Sequence, residues 1–216
     1  MPHILLTGFE PFNNETTNPA WEVVKLFEGK KILQTHTVHI AQLPCEFGAA
    51  NTMLADLLTR IPAEIVVCVG QAGGRVDISV ERVAINIDDA RIPDNAGAQP
   101  IDQSIIEDGP AAYFSTLPIK AIVKNLRDNG IPASVSQTAG TYVCNHVFYG
   151  LMHYANTHPH ILRAGFVHIP YLPEQAAAHP GAASMALEQM ENALRCLLET
   201  SISQAKDIKL GAGATH

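Results

Sequence analysis

Cys144 stands in the stretch Gly140-Thr-Tyr-Val-Cys-Asn-His146, where a predicted strand (Ala133 to Gln137) gives way through Thr138-Ala-Gly140 to a predicted helix beginning near Tyr142. A thiol in the first turn of a helix faces unpaired N–H groups and the positive end of the aligned peptide dipoles. That setting lowers a cysteine pKa and favours the reactive thiolate. Such a nucleophile also needs a base. The segment Gly165-Phe-Val-His-Ile-Pro-Tyr171 offers His168, which ends an apolar run just before a proline, at the end of a strand expected to be buried. Together the two residues have the makings of nucleophile and base in a cysteine hydrolase. Spacing alone does not bring them together, and a lone cysteine is more often a small buried hydrophobe.

A third group is needed to hold such an imidazole in one tautomer. Glu81 stands out because it lies inside an otherwise apolar run from Ile78 to Ile87. Two readings of it stay open: a carboxylate that orients an imidazole, or an ion-pair partner for Arg82 or another base. Other chemistries find less support. Gly70-Gln-Ala-Gly-Gly-Arg75 follows a predicted strand, but it lacks a Gly-Lys-Ser/Thr ending and opens no helix, so nucleotide binding is not expected. That turn could instead present Gln71 and backbone donors to a small ligand. Ten histidines raise the question of a metal. His-Glu-x-x-His is absent, His36 and His39 would point to opposite faces of a strand, and His158 and His160 flank Pro159 in a turn. His146 and His153 could share a helix face, yet a zinc site needs ligands converging from several elements. Neither a metal nor a cofactor is expected.

The chain as a whole narrows the class. Its 216 residues suit one large domain, with residues 1–210 as the folded unit and 211–216 as a flexible tail. Hydrophobic residues at 47% and charged residues at 16% argue for a globular protein and against disorder. A formal net charge of −7 with no basic run argues against nucleic-acid binding. Cys45, Cys68, Cys144 and Cys196 are scattered, as free thiols of a reducing compartment would be. No apolar stretch approaches the roughly 20 residues of a membrane span, and the N-terminal residues do not read as a signal peptide. A cytoplasmic location is the expectation.

Positioning such groups falls to alternating strands and helices. His3 to Thr7, Lys31 to Ile40, Glu64 to Val69, Ser79 to Ile87, Ala133 to Gln137 and Arg163 to Ile169 read as strands. Asn18-Pro19 opens a helix to about Phe27, with asparagine as cap and proline at the first position. Further helices are predicted over Glu46 to Arg60, Lys120 to Asn129, Tyr142 to about Asn156 and Ala183 to Ser201. This order predicts a three-layer α/β/α sandwich around a mostly parallel sheet, with room for antiparallel edges. Gly8, Gly70-Gln71, Cys144 and His168 all fall near strand ends and could meet on one rim. Residues 88–118 resist periodic assignment and read as a functional loop, a lid or an interface.

Taken together, the blocks resemble a known family. Gly70-Gln-Ala-Gly-Gly-Arg75 leading to Val80-Glu-Arg-Val-Ala-Ile-Asn86, Ala139-Gly-Thr-Tyr-Val-Cys-Asn145, Phe166-Val-His-Ile-Pro170 and Thr7-Gly-Phe-Glu-Pro-Phe12 look like the pyroglutamyl-peptidase I family. Asn18-Pro19, Asp88-Asp-Ala-Arg-Ile-Pro-Asp-Asn95 and Tyr171-Leu-Pro support the match, which runs from about Ile4 to the last helix. The resemblance implies a cytosolic cysteine peptidase that acts on N-terminal pyroglutamyl peptides and assembles as a homo-oligomer, often a tetramer. It carries the nucleophile to Cys144, the base to His168 and the orienting carboxylate to Glu81. It places Phe9, Phe12, Ile92, Tyr142 and Val143 at the pocket walls. Asn18 and Gln71 fall among the polar groups, and Arg91 could help the helix start hold an oxyanion; otherwise it would pair with Asp88 or Asp89. Two departures stand out: Asn13-Asn14 where a glycine pair is common, and Tyr142 where phenylalanine is common. Asparagine tolerates positive φ, so the turn should survive. A related amide hydrolase of other acyl specificity, or a catalytically silent binder of the same fold, is the alternative.

Overall fold

The computed structural model describes residues 2–213. Nine strands are present among them: β1 (His3–Phe9), β2 (Lys31–Ile32), β3 (His36–Leu43), β4 (Ala63–Gln71), β5 (Ile78–Glu81), β6 (Val83–Ile85), β7 (Ala112–Phe114), β8 (Ala133–Ser136) and β9 (Arg163–Ile169). Seven of them form one sheet in the order β2-β3-β1-β4-β9-β5-β8. Pairing is parallel except at β2/β3 and at β5/β9. The helices are α1 (Pro19–Val24, continued by a 3₁₀ turn Lys25–Phe27), α2 (Ala49–Arg60), α3 (Ile119–Asp128), α4 (Val143–Thr157), α5 (Pro173–Ala176) and α6 (Leu187–Ser203).

Three layers follow from the strand period of two. Along β1 and β4, Ile4, Leu6, Val67 and Val69 point to the face covered by α1, α3 and α6. Leu5, Val66 and Cys68 point to the other face, with Phe148 and Phe166, under α2 and α4. A strand buried on both faces needs apolar residues at every position, which is why β4 reads as a continuous apolar run. The mostly parallel α/β/α sandwich expected from the sequence is the fold observed. At its first helix, Asn18 adopts the cap, its side chain accepting from Ala20 N at 3.0 Å, with Pro19 at the first helical position. Asn13 and Asn14 take φ of +53° and +61°, so the turn that resembles a glycine pair does survive.

The structure departs from the sequence reading where long-range partners decide. The run Ser79 to Ile87 is not one strand. It breaks at Arg82, β5 staying in the main sheet while β6 leaves to pair antiparallel with β7. Asn145 of α4 draws β6 away: its Oδ1 accepts from Ile85 N at 3.0 Å and its Nδ2 donates to the Ile85 and Ile87 carbonyls. Lys31 to Ile40 is likewise two strands, β2 and β3, split at Leu33 and Gln34, whose φ values are positive without any glycine to announce them. Residues 88–118, expected to be irregular, contain β7 and a bridge between Asp88 and Gln103. Of the tail, 214–216 lie outside the described residues, and the Ala212 carbonyl accepts a hydrogen bond from Arg82.

Two consequences can be measured. A Cβ at Gly8 would stand 2.8 Å from Trp21 N and 2.9 Å from the Ala20 carbonyl carbon, both backbone of α1. Gly8→Ala should therefore cost about 1–3 kcal/mol in urea unfolding, whereas Gly74→Ala, with nothing within 4 Å, should be close to neutral. The Cys45 and Cys68 thiols are pushed by burial from the ordinary 9.0 up to about 12. A thiol kept protonated in the fold contributes stability that is whole below its unfolded pKa and is lost as pH climbs toward the folded one. Between about pH 9 and about pH 12, unfolding free energy should drop by up to roughly 1.4 kcal/mol per pH unit per thiol. A flat profile over that window would show that these thiols ionise without unfolding the chain.

Candidate active site

The rim of the sheet gathers the groups singled out by type. Gly70 and His168 are register partners on the parallel pair β4/β9, so their Cα atoms sit side by side about 4.8 Å apart. Cys144 is the second residue of α4, which packs over the same face. Its Sγ lies 2.9 Å from where a Cβ of Gly70 would stand, and the Phe166 ring lies 2.8 Å from that point. Only glycine leaves room for the sulfur there. The thiol is thus seated against the strand beside His168. No side chain caps the N-terminus of α4, since Tyr142 at the cap position is extended and makes no capping bond. The first-turn N–H groups beside Cys144 therefore keep their donor capacity.

Glu81 and His168 meet across the antiparallel pair β5/β9, where Ser79 is the register partner of His168. Glu81 Oε1 accepts from His168 Nδ1 at 2.8 Å, and both residues are buried. The carboxylate fixes the proton on Nδ1 and leaves Nε2 as the basic nitrogen. The geometry accommodates both readings of Glu81: it bonds the imidazole and also has an ion-pair partner, which is Arg75, at 3.2 Å, and not Arg82.

A second buried histidine–carboxylate pair lies nearby and behaves differently. His146 Nδ1 lies 2.8 Å from Asp88 Oδ2, and its Nε2 accepts from Gly48 N at 2.9 Å. Both nitrogens are occupied, so His146 ties α4 to α2 and has no free nitrogen with which to take a proton. Among the described residues, no three His, Cys, Asp or Glu side chains gather as a metal site.

The residues expected at the pocket divide into four groups. Phe12 and Tyr142 face each other at 6.1 Å between ring centroids, and Phe47, which the sequence reading missed, meets Tyr142 edge-on at 5.4 Å. Ile92 and Arg91 belong to a strap bound to both sides of this wall. Thr141 Oγ1 donates to the Asp89 carbonyl, Tyr142 Oη donates to the Pro93 carbonyl, and Asn95 Nδ2 donates to the Pro11 carbonyl. Phe47 N donates to Asp94 Oδ2. The Tyr142 hydroxyl thus has a partner. Arg91 is exposed and, among the described residues, makes no ion pair with Asp88 or Asp89. Phe9 ends β1 with its ring 6.2 Å from that of Phe166, and Gln71 ends β4, its Oε1 accepting from Gln175. Asn18 caps α1 with its Oδ1 and donates one Nδ2 hydrogen to the Glu10 carbonyl, and Val143 packs in the core at the start of α4.

The charge balance at Cys144 runs opposite to the expectation from its helix position. Burial pushes the thiol well above the ordinary 9.0, and the neighbouring Cys45, Glu81 and Cys68 add to this, while Arg75 opposes it. A helix N-terminus supplies about 0.3–1 kcal/mol, which is less than desolvation of a thiolate costs.

A family model described as pyroglutamyl peptidase matches residues 2–204. The chain is 58% identical to a pyrrolidone-carboxylate peptidase of Cupriavidus taiwanensis and 59% identical to one of Klebsiella pneumoniae, covering all of each chain. Among solved structures, pyroglutamyl peptidase I of Bacillus amyloliquefaciens superposes with a TM-score of 0.94 at 47% identity, over 97% of this chain and 99% of that one. Pyrrolidone carboxyl peptidase of Thermococcus litoralis gives 0.94 at 42% identity, over 98% and 100%. With a family model matched over most of its length and relatives of this identity aligned end to end, this chain belongs to the pyroglutamyl peptidase family.

Proposed function

We propose that this chain is a cysteine peptidase that hydrolyses the amide bond after an N-terminal pyroglutamyl residue, with Cys144 as nucleophile, His168 as base and then acid, and Glu81 as the group that orients His168. The observation that carries the reading is the buried Glu81–His168 hydrogen bond of 2.8 Å, in the strand row on which the Cys144 sulfur rests. His168 Nε2 takes the thiol proton as the sulfur bonds to the pyroglutamyl carbonyl carbon. The carbonyl oxygen gains the negative charge, which the uncapped N–H groups of the α4 first turn accept, with Arg91 as an auxiliary contact from the strap. His168 then protonates the leaving amine as the C–N bond breaks. A water gives its proton to His168 and attacks the thioester, and the C–S bond breaks to release pyroglutamate and the thiol.

Specificity follows from what the wall lacks. Phe12, Phe47 and Tyr142 offer ring faces to a flat, uncharged lactam, and Gln71 and Asn18 each retain amide N–H capacity for its edge. A free ammonium group at the same place would be desolvated without a partner. The reading extends to a cytoplasmic homo-oligomer, a tetramer by family resemblance. Four free thiols support the reducing location, and the exposed Phe114, Val76 and Ile101 support self-association. Among the described residues no helix is long and apolar enough to cross a membrane.

Release of a fluorogenic amine from a pyroglutamyl amide, with reductant present, tests the reaction. Cys144→Ser should lose at least about 10³-fold in kcat/KM, and Glu81→Gln about 10³- to 10⁴-fold. The prolyl amide should be poorer than the pyroglutamyl amide by about 10³-fold or more. No turnover by the folded, reduced protein would shift the assignment to another amidase or a silent binder. Tyr142→Phe, which loses the bond to the Pro93 carbonyl and the hydroxyl's contact with the Cys45 thiol, should raise KM a few-fold, about the worth of one neutral hydrogen bond, with kcat nearly unchanged.

A further inference from the structure

Arg75 is a charged group beside the site to which the reaction as written gives no task. Its Nη2 lies 3.2 Å from Glu81 Oε1 and also donates to the Thr138 carbonyl at 2.8 Å. The same Oε1 accepts from His168, while Glu81 Oε2 is buried with no hydrogen-bond partner among the described residues. A carboxylate with no exposed surface is therefore answered by one imidazole N–H and one guanidinium. Thr138 begins the turn that leads through Gly140, with φ of +80°, into α4 and Cys144. One side chain thus touches both the carboxylate behind the base and the turn that delivers the nucleophile.

We infer that Arg75 is a positioning residue which, by holding Glu81 Oε1 and the Thr138 carbonyl together, sets the pH range in which the Cys144–His168 pair operates; this rests on the cysteine-peptidase reading above. The electrostatic argument concerns the charge Glu81 presents to its neighbours. With the guanidinium in place, part of the carboxylate's field is offset; without it, Glu81 would be answered by the imidazole N–H alone. The cation acts on the sulfur in the same sense: of the groups facing it, Cys45, Glu81 from β5 and Cys68 from β4 hold its proton on, and Arg75 opposes them. Asp77, two residues along, does not compete for the guanidinium; its Oδ1 takes the Ser79 and Ser134 hydroxyls at 3.1 Å each. Arg82 cannot substitute, because it is turned to the Ala212 carbonyl. Removing the Arg75 charge therefore leaves Glu81 less answered and takes away the one group that opposes the hold on the thiol proton, which moves the working range of the pair toward higher pH.

The test compares Arg75→Gln and Arg75→Lys with the unaltered protein, each first checked for folding by circular dichroism. Two pH profiles are recorded: kcat/KM on a pyroglutamyl amide, and the rate of iodoacetamide labelling of Cys144 followed by mass spectrometry of its peptide. Arg75→Gln should shift the acid limb of the first and the midpoint of the second upward by about one pH unit, so that kcat/KM falls about tenfold on the acid limb. Arg75→Lys, which keeps the charge, should leave both in place. Arg75→Met, which preserves the packing of the stem, replaces the glutamine variant where that one does not fold. Unmoved limbs in the neutral variants, including a loss of rate uniform with pH, overturn the inference, as does an equal shift in the lysine variant. Turnover of no pyroglutamyl amide by the unaltered protein, combined with a shifted labelling profile, would retire the peptidase reading and leave the role of Arg75 standing.

Discussion

The fully buried carboxylate of Glu81 is the constraint on which the site depends. Taking a charge out of water is tolerated only where donors answer it, and here they come from two directions: His168 on β9 and Arg75 on the turn after β4. Each answer fixes something else. The bond to His168 determines which imidazole nitrogen is basic. The bond to Arg75 ties the carboxylate to the turn before α4. The geometry of nucleophile and base is thereby a consequence of satisfying one charge, and the antiparallel junction of β5 with β9 is what brings that charge to the rim.

Two histidine–carboxylate pairs lie within this one face of the sheet, and their chemistry differs because of a single backbone N–H. In the Asp88–His146 pair, Gly48 N occupies the second nitrogen, so the ring is a strut between α2 and α4. In the Glu81–His168 pair, the second nitrogen is left for proton transfer beside the sulfur of Cys144. A histidine held by a carboxylate is therefore not itself a sign of catalysis. What matters is what the other nitrogen faces. The same economy governs the strap at 88–95. Bonds to Thr141, Tyr142, Phe47 and Pro11 hold it as a fixed wall joined to the start of α4.

Much of the fold could be read locally. The apolar run of β4, the Asn-Pro start of α1, the extent of β9 and the positive φ of Asn13 and Asn14 each follow from side-chain volume, backbone freedom and the strand period. The division of the 79–87 run and the strand β7 depend on partners remote in sequence, such as Asn145 with Ile85 and Ala212 with Arg82. The β2/β3 turn is local, but Leu33 and Gln34 take positive φ there with no glycine to announce it. The site divides in the same way. Cys144, His168 and Glu81 were marked by type and by position near strand ends or in an apolar run. Phe47 and Arg75 carried no local mark, because their partners Tyr142 and Glu81 are remote in sequence or meet them only through the fold.

The fold class, the family resemblance and the residue types that could react are legible along one dimension, because they rest on composition, periodicity and ordered motifs. Which cation answers Glu81, and which of the two carboxylate-bound histidines has its second nitrogen occupied, emerge only in three dimensions. Those properties depend on burial and on distances of a few ångströms between residues far apart in the chain. A helix start favours the thiolate by a small amount wherever it lies, but the desolvation that pushes the Cys144 thiol up exists only once the chain has folded around the sulfur.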